Sequence, residues 1–286
     1  MALTKVGVVG CGLMGSGIAQ VCAQAGLETW VREVDPPTLE KGFARIRNFL
    51  DDGIAKGKGT AEERDRILSA IHGTTRIGDL APCGLVVEAV TESLPLKHEI
   101  LKALERAVDP SAVIASNTSS LSITEIAAAA ERPDRVLGLH FFNPVPLMKL
   151  VEVVRAIGTG DAALETSRGF VERLGKTAVV ASDTPGFIVN RLLVPYLLDA
   201  VRLLESGAAT REDIDNGMKL GCGYPMGPLT LLDFVGLDTT YFIANIMFEE
   251  FRQPQYAPPP LLKRMVLAGR LGRKSGRGFY EYAPRT

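Results

Sequence analysis

Residues 5–18 decide the fold, and their sequence is Lys5-Val6-Gly7-Val8-Val9-Gly10-Cys11-Gly12-Leu13-Met14-Gly15-Ser16-Gly17-Ile18. The apolar, β-branched start of this stretch predicts a strand, and the apolar positions from Ile18 onward recur at helical spacing. Between them, Gly10 permits a tight turn, Gly12 lets the backbone approach a pyrophosphate, and Gly15 lets the helix pack closely on the strand. The helix N-terminus presents unpaired N–H groups to an anion. The stretch therefore predicts a dinucleotide-binding loop.

An acidic residue supports this interpretation and suggests which dinucleotide is bound. Glu33 ends the second predicted strand, Thr29 to Glu33, 23 residues after Gly10. A carboxylate at this point accepts hydrogen bonds from an adenosine ribose diol and repels a 2′-phosphate, which favours NAD. NADP stays possible because Arg32 could hold a phosphate, and FAD is another ligand of the same fingerprint. The expected cofactor-binding residues of this unit are Gly10, Gly12, Leu13, Met14, Gly15 and Glu33.

The rest of the chain predicts an α/β fold, namely a Rossmann-type, largely parallel sheet with a helical insertion, followed by an all-α C-terminal domain. The turn around Pro185 marks the change from alternating strands and helices to helices alone. We expect a dinucleotide-binding domain over 1–183, with a helical projection at about 36–70, and a helical substrate and dimerisation domain over 184–286. Further strands are expected at Leu85–Val90, Val113–Ser116, Val136–His140, Leu150–Val154 and Thr177–Val180.

Composition excludes several classes of protein. The chain has 286 residues, 46% of them hydrophobic, and 32 Lys and Arg against 33 Asp and Glu, so a net charge of −1 gives no general attraction to nucleic acid or to an anionic membrane. The four cysteines lie far apart, which argues against a disulfide framework and against a metal site. The chain start leaves no room for a signal peptide, and no stretch is apolar enough for a membrane span. We therefore expect a cytoplasmic protein without a metal.

One histidine stands out as a candidate catalyst. His140 ends a predicted strand, at the sheet edge where open α/β folds bind their ligands. Glu152 lies within the apolar run Leu150 to Val154, where a carboxylate is costly to bury without a partner. If the two strands turn back on each other about Pro146, positions 140 and 152 face each other. The carboxylate would then fix the tautomer of the imidazole and stabilise its protonated form, as a general base requires.

Five segments together carry a family resemblance. They are Ser116-Asn117-Thr118-Ser119-Ser120, His140-Phe141-Phe142-Asn143-Pro144, Lys149-Leu150-Val151-Glu152-Val153, Asp183-Thr184-Pro185-Gly186-Phe187-Ile188-Val189-Asn190-Arg191 and Gly223-Tyr224-Pro225-Met226-Gly227-Pro228. With these segments the chain closely resembles the L-3-hydroxyacyl-CoA dehydrogenase family over nearly its whole length. The resemblance implies NAD-dependent oxidation of a (S)-3-hydroxyacyl-CoA, with 3-hydroxybutyryl-CoA as the expected substrate, and 286 residues leave no space for a fused hydratase.

The resemblance also implies roles for individual residues. It implies that His140 is the acid/base, that Glu152 orients it, and that Ser119 and Asn190 hold the substrate oxygen in a cleft between the domains. It implies a dimer formed through the C-terminal domain. Glu33 departs from the aspartate that is commonest at its position in the family. Further implied contacts are those of Glu92, Lys97, Asn117 and Asn143 with the cofactor, and we expect Lys56 and Lys58 to meet the phosphorylated ADP of coenzyme A.

Other functions stay open. Dehydrogenases of the 6-phosphogluconate type need a lysine four residues before an asparagine, and here that position is Gly186. UDP-sugar dehydrogenases need a cysteine nucleophile, and Cys222 lies in a glycine-rich loop but has no activating neighbour in the sequence. A dehydrogenase of a free hydroxy acid such as gulonate, or of an acyl carrier protein thioester, would use the same His140 and Glu152. A catalytically inert NAD-binding structural protein is the alternative outside enzymes.

Overall fold

The structure is a computed structural model and describes residues 3–283. The chain forms two compact units, of which the first ends at Thr184 and the second begins at Pro185. The first unit is built on one eight-stranded sheet. Its strands are β1 (Lys5–Val9), β2 (Glu28–Arg32), β3 (Ile71–Thr74), β4 (Leu85–Glu88), β5 (Val113–Ser116), β6 (Val136–Phe141), β7 (Leu150–Arg155) and β8 (Thr177–Ser182).

The sheet runs in the order β3-β2-β1-β4-β5-β6-β7-β8. All neighbours are parallel except β6 and β7, which are antiparallel because the chain reverses directly after β6. The strand order changes direction at β1, between β2 and β4, and such a switch point opens a crevice at the carboxyl ends of the strands. The predicted fold class is confirmed.

Helices of the first unit cover the sheet. They are α1 (Leu13–Gln24), α2 (Pro36–Ala55), α3 (Ala61–Ser69), α4 (Leu94–Ala107), α5 (Ile123–Ala127) and α6 (Asp161–Arg173). Local capping explains where the inserted pair α2 and α3 begins: the Asp35 side chain accepts from the backbone N–H of Thr38, and Thr60 with Glu63 forms a capping box. Strand β3, which follows α3 and returns the chain to the sheet edge, was not predicted, because its four residues include Gly73 and show no alternation of apolar and polar side chains.

The second unit is helical. Its helices are α7 (Val189–Glu205), α8 (Arg211–Asn216), α9 (Pro228–Val235), α10 (Leu237–Phe251) and α11 (Pro260–Leu267). Pro260 begins α11, since proline is tolerated in a first helical turn, where its missing N–H costs no hydrogen bond. Within residues 3–283, no single helix has the length and apolarity to cross a membrane, and α9 with α10 passes that test only as a pair bent by 95°.

Candidate active site

The glycine loop between β1 and α1 has the geometry that its sequence predicts. Gly10 has a φ of 94°, in the region that favours glycine, and a Cβ there would lie 2.7 Å from the carbonyl oxygen of Ala89. A Cβ on Gly15 would lie 1.9 Å from the carbonyl oxygen of Gly10, so the helix can approach the loop only without a side chain. Around Gly12, by contrast, a Cβ would meet nothing within 4 Å. The loop therefore has one open backbone face.

This open face meets the N-terminus of α1. Gly12 caps the helix without a side-chain hydrogen bond, and the first turn holds no acidic residue. Leu13 is 64% exposed, whereas Met14 packs against the core of the unit. The backbone N–H groups of this turn and the positive end of the helix dipole fit a pyrophosphate.

Glu33 lies immediately beside the loop. Its Oε2 accepts from the backbone N–H of Cys11 at 2.7 Å, and its Oε1 accepts from that of Val34 at 2.8 Å. Arg45 of α2 donates to the carbonyl oxygen of Cys11 at 3.1 Å, so α2 also supports the loop. Burial, with a smaller contribution from Glu33, raises the pKa of the Cys11 thiol to about 12, which leaves it an inert packing residue. A ribose placed at the end of β2 would meet the Glu33 carboxylate.

His140 and Glu152 are directly opposite each other in the antiparallel pair β6 and β7. Nδ1 of His140 lies 2.6 Å from Oε2 of Glu152. Glu152 is fully buried and His140 is 6% exposed, with its ring 4.5 Å from the ring of Phe142 between centroids. The contact engages Nδ1, so Nε2 is the ring nitrogen that can exchange a proton with a substrate. This arrangement can hold an imidazole in one tautomer and stabilise its cation.

Ser119 lies in the loop after β5, next to Glu92. Oε1 of Glu92 accepts from the backbone N–H of Ser119 at 2.8 Å, from its hydroxyl at 3.2 Å, and from the Thr118 hydroxyl at 3.0 Å. Lys97 is only 1% exposed, and its Nζ lies 2.8 Å from Oε1 of Glu88 and 3.5 Å from Oε2 of Glu92. The structure thus brings three of the expected site residues into one connected group.

The other expected residues are more dispersed. Oδ1 of Asn117 accepts from the backbone N–H of Phe141 at 3.0 Å, which ties β5 to β6 beside His140. Asn143 is exposed after β6 and lines a cavity of about 280 Å³ together with Leu13, Phe49 and other residues of α1 and α2. Lys56 and Lys58 are exposed in the turn after α2. Asn190 lies in the first turn of α7, in the second unit.

Two buried charged residues at the carboxyl edge of the sheet were not predicted from the sequence. Glu88 ends β4 and is 4% exposed, and Lys176 donates from Nζ to the carbonyl oxygens of Val145 and Met148 at 2.7 and 2.6 Å. Glu88 follows Leu85-Val86-Val87, so the reasoning that identified Glu152, a carboxylate in an apolar strand, also applied to it. For Lys176 the sequence held no comparable signal, because its partners are backbone carbonyls.

Comparison with known proteins shows the class. A family model described as "3-hydroxyacyl-CoA dehydrogenase, NAD binding domain" matches residues 5–184, and one described as "3-hydroxyacyl-CoA dehydrogenase, C-terminal domain" matches residues 186–282. The loop, the acidic residue after β2 and these matches define an NAD-dependent oxidoreductase. The chain belongs to the 3-hydroxyacyl-CoA dehydrogenase family, as the resemblance implied, and the expected NAD cofactor is confirmed at the level of the family.

Similar proteins cover nearly the whole chain. A 3-hydroxybutyryl-CoA dehydrogenase of Mycobacterium tuberculosis is 54% identical over 98% of this chain and 99% of its own length. The mitochondrial hydroxyacyl-coenzyme A dehydrogenase of Sus scrofa is 47% identical over 97% of this chain and 90% of its own. The crystal structure of a (S)-3-hydroxybutyryl-CoA dehydrogenase from Ralstonia eutropha has a TM-score of 0.94 at 44% identity and covers 99% of this chain and 100% of its own.

Proposed function

We propose that the protein oxidises (S)-3-hydroxybutyryl-CoA to acetoacetyl-CoA with NAD⁺, reversibly, and that His140 is its acid/base. The observation that carries the proposal is the 2.6 Å contact between Nδ1 of His140 and Oε2 of Glu152, at the carboxyl edge of a sheet with an NAD-binding loop. Two bacterial relatives that match 98% of this chain are named for this substrate.

The proposed mechanism assigns one task to each residue. The glycine loop and Glu33 would hold NAD⁺, which would supply the hydride acceptor for C3 of the substrate. Nε2 of His140 takes the proton of the C3 hydroxyl, and Glu152 stabilises the imidazolium that results. Ser119 donates a hydrogen bond to the reacting oxygen, and by family resemblance Asn190 does the same. Since the hydroxyl of Ser119 lies 3.2 Å from Glu92, a long hydrogen bond, it can turn from that carboxylate to the substrate.

The remaining expected residues are assigned to binding. We assign the pyrophosphate to the loop from Gly10 to Gly15 and the adenosine ribose to Glu33. Glu92, Asn117 and Asn143 lie nearer the nicotinamide in this assignment, and Lys97, which is only 1% exposed, acts there through its contact with Glu92. Coenzyme A would follow the cavity between α2 and Asn143 and end with its phosphates near Lys56 and Lys58. Support for this path comes from the cavity itself and from the exposure of both lysines at the end of α2.

The assembly we propose is a homodimer formed through the second unit. Tyr196, Ala200, Leu203, Ile214 and Met218 are among the lining of a largely apolar cavity of about 510 Å³ on that unit. Leu203 is 45% exposed there, and an exposed apolar side chain beside an apolar cavity supports an interaction surface. Replacing Leu203 with glutamate should convert a dimer to a monomer in analytical ultracentrifugation. We further propose a cytoplasmic location, which the four free cysteines favour.

The test of the function is a set of substrates in one assay. Loss of NADH absorbance is followed with acetoacetyl-CoA, free acetoacetate and an acetoacetyl thioester of acyl carrier protein, and NADH formation is followed with gulonate. We expect acetoacetyl-CoA to give the highest kcat/KM. A higher value with any of the others would replace the proposed substrate, and turnover with none of them would support an inert NAD-binding protein.

The same assay tests the acid/base. His140→Gln should lower kcat by roughly 10² to 10⁴ and leave NADH binding nearly intact. His72→Gln is the matched control, because His72 lies on the edge strand β3 with 41% of its side chain exposed. Turnover of His140→Gln within about a factor of two of the wild type would remove the assignment.

A further inference from the structure

A buried ion pair joins β4 to α4 at the carboxyl edge of the sheet. Nζ of Lys97 lies 2.8 and 2.9 Å from Oε1 and Oε2 of Glu88. Oε1 of Glu88 also accepts from the backbone N–H of Val90 at 2.7 Å, and its Oε2 accepts from the hydroxyl of Ser116 at 2.6 Å. A buried ion pair overcomes its desolvation cost only when further hydrogen bonds satisfy its charges. Here the carboxylate accepts two such bonds, from Val90 and Ser116, in addition to its two contacts with Lys97. These contacts therefore hold the Glu88 carboxylate in one position.

Polar contacts connect the Glu88 carboxylate to Ser119 through Lys97 and Glu92. The Lys97 ammonium lies 3.5 Å from Oε2 of Glu92, which draws that oxygen inward and sets the rotation of the carboxylate. The other oxygen of Glu92 then faces the loop after β5, where it accepts from the Thr118 hydroxyl and from the backbone N–H and hydroxyl of Ser119. The position of Ser119 thus depends on a carboxylate that Lys97 orients and Glu88 anchors.

We propose that Glu88 is a positioning residue for the dehydrogenase reaction and acts through Lys97 and Glu92 on Ser119. The inference rests on the proposed function, since it needs Ser119 to hold the substrate oxygen. The two bonds from Ser119 to Glu92 have different tasks. The backbone bond, at 2.8 Å, keeps the loop in place, and the longer hydroxyl bond, at 3.2 Å, exchanges for a bond to the substrate. Lys97 then serves mainly to orient Glu92 rather than to touch the cofactor.

The other end of α4 holds a matched control. Glu105 forms a similar buried pair with Arg135, at 3.6 Å, and both side chains are 6% exposed. Its carboxylate accepts from the backbone N–H groups of Glu131 and Arg132 at 2.9 and 3.0 Å. The two acidic side chains are thus alike in burial and in having a cationic partner. Within residues 3–283, however, the polar contacts of the Glu105 carboxylate are with Glu131, Arg132 and Arg135, none of which belongs to the candidate site. A purely structural role for Glu88 would give the two variants the same phenotype.

The experiment is a double-mutant cycle on the full-length protein. Glu88→Gln and Glu105→Gln are each made in the wild type and in Ser119→Ala, and kcat, KM for acetoacetyl-CoA, the Kd of NADH and Tm are measured. We expect Glu88→Gln to lower kcat about tenfold, because small displacements of a positioned group are costly. Its Kd for NADH should stay within about twofold, and in Ser119→Ala it should cause no further loss of kcat. Glu105→Gln should lower Tm comparably while kcat stays near the wild-type value.

Two results would overturn the inference. One is an equal loss of kcat from Glu88→Gln with and without the Ser119 hydroxyl, and the other is a rise in the Kd of NADH that accounts for the whole loss, which would place Lys97 on the cofactor. If Glu88→Gln does not fold, Glu88→Gln/Lys97→Gln replaces the ion pair with a neutral pair and enters the same cycle. Wild-type protein without turnover of acetoacetyl-CoA would refute the proposed function and the inference with it. Wild-type turnover with additive losses would refute the inference alone.

Discussion

Removing the charge of Glu152 is the sharpest perturbation of the proposed acid/base pair. Glu152→Gln keeps the size of the side chain and one oxygen that can face Nδ1 of His140. It removes the negative charge from a fully buried position, 2.6 Å from the imidazole. Because the substrate proton arrives on His140 during oxidation, the missing charge matters more in the transition state than in the ground state.

The size of the effect follows from the contact. Two unit charges with centres about 4 Å apart interact by about 4 kcal/mol at an effective dielectric constant of about 20. If the imidazolium is roughly half formed in the transition state, about 2 kcal/mol of stabilisation is lost, which corresponds to about a 30-fold fall in kcat. If the amide instead turns its N–H₂ group toward Nδ1, the ring is held in the wrong tautomer. The loss then approaches the roughly 10⁴-fold that replacing aspartate with asparagine causes in a serine-protease triad. We therefore expect a loss of at least about 30-fold.

The assay measures kcat for NADH-dependent reduction of acetoacetyl-CoA by the wild type, Glu152→Gln, His140→Gln and the double variant. Since Glu152 acts through His140, its substitution should cost nothing further once His140 is glutamine. The Kd of NADH, measured by fluorescence, should be the same for all four proteins. Two results would refute the orienting role. One is a Glu152→Gln variant with wild-type kcat, and the other is a loss of kcat from Glu152→Gln that is as large in the His140→Gln background as in the wild-type background.

Three further predictions concern binding and stability. Glu33→Ala should weaken NADH much more than NADPH, whereas Glu33→Gln, which keeps an acceptor for the loop, should show the same preference with less loss of stability; equal losses for both cofactors would exclude a ribose contact. The double variant Lys56→Ala/Lys58→Ala should raise KM for acetoacetyl-CoA about three- to tenfold at low salt and less at high salt. Lys102→Ala on α4 is the control and should leave KM unchanged, and an increase in KM that is independent of salt would count against a phosphate contact. Burial lowers the pKa of Lys176, so the folded protein releases this proton at a lower pH than the unfolded chain does. The free energy of unfolding of the wild type minus that of Lys176→Met should therefore increase as pH rises toward the ordinary pKa range of lysine. Urea titrations in which this difference falls as pH rises would contradict the predicted sign.

The sequence alone was sufficient to predict a strand or a pairing where residues close together in the chain carry the physical signal for it. The run Lys5 to Val9 is a strand with those bounds, because β-branched residues before a glycine turn have few alternatives. The antiparallel return about Pro146 was predicted from a histidine and a glutamate at symmetric positions, and register places residues 140 and 152 opposite each other. By contrast, β3 has four residues and gains its structure only by pairing with β2, so no local pattern marks it.

The contacts of the candidate site are likewise of two kinds, those that the local sequence signals and those that arise only from the order of the strands. A carboxylate inside an apolar strand is an electrostatic conflict that is visible in the sequence, and its solution must be a nearby cation or donor. Glu152 with His140 is one such pair, and Glu88 with Lys97, nine residues later on the next helix, is another. The contacts from Lys97 through Glu92 to Ser119 carry no such signal, because they join the ends of two parallel strands that are distant in sequence and adjacent only in the sheet. The order of the strands, rather than any spacing in the chain, places a buried charge within reach of a serine that the proposed chemistry needs.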